Sequence, residues 1–184
     1  MSHVPTLSEH QARELAEPYV RSVMRSIRGA RLGQVRELRL GWFFPFHADE
    51  MCAGSNGVII NKETGHALVL GSAFSIERDF RFYDLGYQSK EYDLTITAVF
   101  DARRTLDTLL ALHLQIVDES FEHGTHWKIP RALTRDELAE RLRTLPCRFS
   151  GVKLYFRLEA LEEARVGRWF EVTLAAAEPE NRAP

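Results

Sequence analysis

A chain of 184 residues that is 45% hydrophobic can bury a substantial core, and with 24 basic against 26 acidic side chains it lacks the cationic excess of a general nucleic-acid binder. No apolar run approaches the ~20 residues of a membrane span, and the opening stretch MSHVPTLSEH has no basic segment followed by an apolar one, so neither a membrane anchor nor a secretory leader is expected. Two cysteines, Cys52 and Cys147, do not make a disulfide framework, and the expected setting is the reduced cytoplasm.

In chain order, Leu15, Ala16, Tyr19, Val20, Val23, Met24 and Ile27 recur at helical spacing, with Ser8 and Gln11 as a capping box in front of them. Pro18 falls inside this stripe, which predicts one kinked helix ended by Gly29 and Gly33. The aromatic stretch from Glu37 to Ala48 reads as a strand, with Trp42, Phe44 and Phe46 on one face and Phe43 on the other. Pro45 pushes its end toward an edge or bulge. The glycine-rich segment from Gly54 to Ser72 matches neither a phosphate loop nor a dinucleotide fingerprint. It reads as two strands, GVIIN and HALVLG, closed into a hairpin by KETG, with Gly65 free to take positive φ. Ile76, Phe80 and Tyr83 then mark a short amphipathic helix between Ser75 and Gly86 that lies on the sheet.

Leu94, Ile96, Ala98 and Phe100 alternate with Thr95 and Thr97, which predicts a half-buried strand. Asp101 caps a helix expected to run through Ser120, followed by a polar loop, FEHGTHWKIPRA. Thr134 with Glu137 forms a second capping box, with Leu133 and Leu138 as its hydrophobic staple, and Pro146 ends that helix. RFSGVKLYFRL and RWFEVTLAA read as strands, and EALEEARVG between them as a loop or one helical turn. The expected fold is α+β with antiparallel sheets, in the order α-β-β-β-α then β-α-α-β-β. It is read as a lobe over residues 1–90 and a second over 91–184, the latter separate from the first or continuous with it.

Several residues invite a chemical reading. His123 and His126, with Asp118, Glu119 or Cys147 as a third ligand, are the nearest approach to a metal set, but Gly124 argues against a helix that would align them. Cys52 or Cys147 with a histidine would be the nucleophile pair, yet nothing in the sequence orients a base, and Cys147 reads as a small core residue. No metal, cofactor or catalytic residue is therefore assigned. Residues 41–100 hold four basic and eight acidic side chains, against seven and four in residues 1–40. The acidic middle, the carboxylates Asp49 and Glu50 in the loop after the aromatic strand, and Asp118, Glu119 and Glu122 around the end of the long helix read either as solvated surface or as negative charge offered to a basic partner.

In the first half an N-terminal helix is followed by Trp42 in its strand, the run Asn56-Gly57-Val58-Ile59-Ile60, Lys62, Thr64-Gly65, Gly71-Ser72, and then Ile76-Glu77 and Tyr83. In this order these elements resemble the bacterial immunity protein 35 family. The resemblance covers about residues 10–90. It implies a non-catalytic protein that binds a cognate secreted toxin of interbacterial competition and occludes its active site, while the charge balance and the lack of a long apolar run argue against nucleic acid and membrane as partners. Under that expectation Asp49, Glu50, Asp118, Glu119 and Glu122 are the toxin-binding residues. The alternative reading is a small cytoplasmic enzyme or ligand-binding module that uses the loop histidines, cysteines or carboxylates. A toxin gene immediately upstream would favour the first reading.

Overall fold

The computed structural model describes residues 6–49 and 54–177, and the chain divides into two compact units, Met1–Gln88 and Ser89–Pro184. The fold is α+β with antiparallel sheets, as the sequence predicts.

In the first unit, α1 (Glu9–Val23) starts on the Ser8–Gln11 capping box and runs through Pro18 as one helix. Strands β1 (Arg31–Leu32) and β2 (Arg36–Glu37) both pair with β3 (Gly41–His47). The sheet continues through β4 (Ser55–Asn61) to β5 (Ala67–Gly71), all antiparallel. The aromatic residues thus form one strand, β3, as expected, but the start of the stretch is corrected: Glu37 ends β2, and a tight turn leads from it into Gly41. Asp84 holds that turn by accepting from the N–H groups of Arg39 and Leu40 at 3.3 and 3.1 Å.

Each face of this sheet meets a helix. Trp42, Phe44 and Phe46 pack with Val58 and Ile60 under Ala12 and Ala16 of α1. Phe43 and Ile59 pack with Phe80 and Tyr83 of α2 (Ile76–Asp84). Strand β4 is covered on both sides, which is why its apolar residues run without alternation. The stripe of α1 is narrower than its spacing implies: Ala12, Ala16 and Val20 are buried, whereas Leu15, Tyr19 and Val23 are exposed. Alanine at the contact lets the helix lie close to the sheet.

The residues that carry the family resemblance build this unit. Asn61 Oδ1 accepts from the N–H groups of Glu63 and Thr64 at 2.9 and 2.8 Å, and Gly65 takes φ of 70°, so the β4–β5 hairpin closes by local turn chemistry. Gly57 stands where an added Cβ would lie 2.3 Å from the Phe44 carbonyl oxygen. Lys62 Nζ donates to Glu37 and to the Leu38 carbonyl, both at 2.7 Å, and lies 4.8 Å from the centre of the Trp42 ring. Gly57 and Gly65 of the glycine-rich segment therefore pack and turn paired strands.

The second unit is built on a three-stranded antiparallel sheet in the order β10 (Phe170–Ala176), β6 (Tyr92–Val99), β9 (Cys147–Val152). Leu94 and Ile96 of β6 are buried, so the alternation read from the sequence holds over the first part of the strand, whereas Phe100, expected on the same face, lies past the end of β6 and is 63% exposed. Three helices belong to the unit: α3 (Ala102–Ala111), α4 (Arg135–Arg141) and α5 (Leu158–Val166). The Thr134–Glu137 capping box is present, and both staple residues, Leu133 and Leu138, are buried.

Three expectations for this half are corrected. The helix from Asp101 ends at Ala111 rather than Ser120, because His113 adopts the left-handed conformation (φ 51°) that terminates helices. The polar loop after it is a β-strand, since β7 (Gln115–Glu122) pairs along its length with β8 (Thr125–Ala132). The segment read as a loop or one turn before the last strand is the helix α5, with Leu158, Leu161 and Ala164 buried. Among the described residues no helix is long and apolar enough to cross a membrane.

Candidate functional site

The β7–β8 ribbon is a two-stranded sheet of its own. His123 and Gly124 form its two-residue turn, both with positive φ (49° and 78°), which a type I′ turn requires. The first histidine of the HGTH motif is thus a turn residue. An isolated two-stranded ribbon is marginal in water, so its base needs an anchor. The Leu133 N–H donates to the Leu114 carbonyl at 2.8 Å, and both side chains are buried in the unit. Beside them, Arg131 of β8 donates through Nε to Asp118 on β7 at 2.6 Å and through Nη1 to Glu137 on α4 at 2.8 Å. One guanidinium therefore ties both strands of the ribbon to the helix, and Glu137 also accepts from the Thr134 N–H at 2.8 Å.

This clamp is pH-sensitive. The Arg131 guanidinium, followed by the Thr134 backbone and hydroxyl, holds the Glu137 carboxyl down at about 2, against an ordinary value of 4.5. A carboxylate with a depressed pKa adds stability that is in place above its unfolded value and is lost as pH falls toward its folded value. The thermal midpoint of the native chain should therefore exceed that of Glu137→Gln at neutral pH, and the gap should close as pH falls from about 4.5 to about 2. A gap that stays constant across that range would show that the charge of Glu137 contributes nothing.

Beyond its base the ribbon projects large apolar side chains into solvent. Phe121 is 75% exposed, Val117 55%, and Trp127 and Ile129 53% each. Residues opposite each other across antiparallel strands share a face, and alternate residues change face. The pairs Val117–Pro130 and Phe121–His126 therefore lie on one side, and Ser120–Trp127 and Asp118–Ile129 on the other. Each side displays two of the four. Near the tip the His126 ring stacks on Phe121, with centroids 4.3 Å apart and planes 1° from parallel. Leaving such side chains in water forgoes roughly 1.5–3 kcal/mol each of burial free energy, which a partner that covers the ribbon would recover.

The five predicted contact residues fall in different places. Asp118, Glu119 and Glu122 share β7, with Glu122 opposite Thr125 at the turn. Asp118 is engaged by Arg131, and Glu119 faces His126 at 3.2 Å and Lys128 at 3.7 Å. Asp49 belongs to the first unit and pairs with Arg31 at 3.0 Å. Glu50 and Cys52 lie outside the described residues. The placement of Asp118, Glu119 and Glu122 in a loop at the end of a long helix is thereby corrected: they are strand residues, and the cations that answer Asp118 and Glu119 stand on the neighbouring strand. Sequence reading passed over Phe121 and Trp127 because both lay in a stretch taken as helix end and loop. The alternation Trp127-Lys128-Ile129 and the His-Gly pair between the strands were the available signals.

Of the metal candidates, Glu119 and His126 come together across the ribbon, but no third ligand joins them among the described residues. Cys147 is a free, buried thiol on β9, and burial pushes its pKa up, away from the reactive thiolate. Among the described residues no group of three or more His, Cys, Asp or Glu side chains is placed to hold a metal ion. Comparison with family models, with curated proteins and with solved structures finds no match to this chain.

Proposed function

We propose that this chain is an immunity protein: it binds a cognate secreted toxin of interbacterial competition and neutralises it, with the β7–β8 ribbon as a principal contact. The observation that carries the reading is the ribbon itself, a narrow arm anchored at its base by Arg131 and bearing Phe121, Trp127, Val117 and Ile129 in solvent on both faces. Aromatic anchors of this kind dominate the energetics of protein interfaces. A ribbon exposed on two sides suits insertion into a cleft, where both faces find apolar walls. The carboxylates of β7, partly answered by cations on β8, would then set register and partner choice more than affinity.

The first unit supports the same reading through its resemblance to the immunity protein 35 family, whose pattern residues here form a packed scaffold. The experiment is expression in a bacterial host of the polypeptide encoded immediately upstream, alone and with this chain. Growth arrest by the first and restored growth with both is the expected outcome. Arrest that the chain leaves unrelieved would refute the proposal.

A further inference from the structure

A cleft of about 600 Å³ opens in the second unit, at the side of the sheet where β9 is the edge strand. It is lined by the segment that leaves α3 and the first residues of β7, by the last residue of α4, by β9 and by the turn that leads into α5. Its ionisable lining is all of one sign: Arg141, Arg148, Lys153 and Arg157, with His113 beside them and no carboxylate among the described lining residues. In a chain with 24 basic and 26 acidic side chains, four cations on one cleft is a concentration that needs a reason.

Two of the four are answered nearby. Asp93 pairs with Arg148, and that hydrogen bond, together with one from the Gly151 N–H at 3.1 Å, keeps the Asp93 carboxyl ionised. Lys153 lies 3.4 Å from Glu91. Arg141 and Arg157 have no carboxylate within 4.0 Å among the described residues. Arg141 stands 5.9 Å from the centre of the Phe149 ring, and Arg157 donates only to the neighbouring Phe156 carbonyl at 3.0 Å.

Two further features point to an anion. Arg157 is the N-cap of helix α5 and supplies no side-chain cap, so the helix's positive end adjoins the cleft without a capping side-chain acceptor, and Glu159 of its first turn is not among the lining residues. His113 holds the left-handed helix-ending position, which glycine would occupy at less cost, and so keeps an imidazole at the rim. The cleft also contains an aromatic surface, Phe156, which is 56% exposed. Its volume lies inside the ~300–1,000 Å³ range of small-molecule sites.

We propose that this cleft binds a mononucleotide, with the phosphate taken by Arg141 and Arg157 at the start of α5 and the base stacked on Phe156. Unpaired arginines supply forked donors for phosphate oxygens, and an exposed ring supplies a face for a base. The site belongs to the free chain and is independent of the ribbon's role, so either can fail without the other.

The test is calorimetric titration of the full chain at low salt with adenosine monophosphate, inorganic phosphate and adenosine. The nucleotide should bind at least tenfold more tightly than either fragment. The double variant Arg141→Gln/Arg157→Gln should weaken nucleotide binding at least tenfold without moving the thermal midpoint. Phe156→Ala should bring the nucleotide's affinity down to that of inorganic phosphate. No saturation at millimolar nucleotide, equal binding of nucleotide and inorganic phosphate by the native chain, or unchanged binding by the double arginine variant would each overturn the proposal.

Discussion

Alanine at both Phe121 and Trp127 should weaken binding of the proposed cognate toxin at least ~100-fold and leave the thermal midpoint of the free chain within error of the native value. The two halves of this expectation have one cause. Both side chains already stand in water, at 75% and 53% exposure, so truncation removes almost nothing from the folded state. An interface that covers them loses two aromatic anchors, each worth about 2 kcal/mol or more when desolvated. They lie on opposite faces of the ribbon and make no cross-strand pair with each other, so their losses should add. Val166→Ala on α5 is the matched control: it is 82% exposed and also apolar, but stands outside the ribbon, and it should bind as the native chain does. Toxin affinity and growth protection read the result. A double variant that protects fully would remove the ribbon from the interface.

The second large effect concerns the scaffold. Phe44 is completely buried beneath α1, against Ala12, Ala16, Val58 and Ile60. Phe44→Ala should destabilise the first unit by about 3–5 kcal/mol, from lost transfer free energy plus the cavity that the packed neighbours cannot fill. The small residues on α1 already bring helix and sheet together, so little further collapse is open to them. Leu15→Ala on the same helix should cost under about 1 kcal/mol, because Leu15 is 42% exposed despite its place in the helical apolar stripe. Urea unfolding of the two variants separates them. Similar midpoints would mean that the α1–sheet packing described for this unit is wrong.

What could be read from the sequence follows the range of the interactions involved. The β4–β5 hairpin was legible because Asn61 and Gly65 close it within five residues. The N-termini of α1 and α4 were legible because a capping box needs only residues three apart. The split of the aromatic strand, with Phe43 against α2 and Phe44 against α1, followed from alternation alone.

The misread segments carry two overlapping periods or no punctuation. From Leu112 to Glu122 the apolar residues satisfy a helical template as well as an alternating one, and the stop is His113 rather than glycine. Helix α5 starts on Arg157 with no capping side chain, so nothing announced it. The candidate site suffered most, since it depends on long-range partners. Asp118 was visible as a carboxylate, but its engagement by Arg131, and that arginine's reach to Glu137, appear only once β8 folds back on β7. The cleft is less legible still: its cations are scattered between Arg141 and Arg157 and meet across the free edge of β9.

Hydrogen–deuterium exchange on the full chain, with and without the proposed cognate toxin, addresses the ribbon's role most directly. Strong protection on complex formation should fall on the peptides spanning residues 115–132. A stable complex whose protection lies elsewhere and leaves that stretch exchanging at its free rate would contradict the assignment of the ribbon as the binding arm.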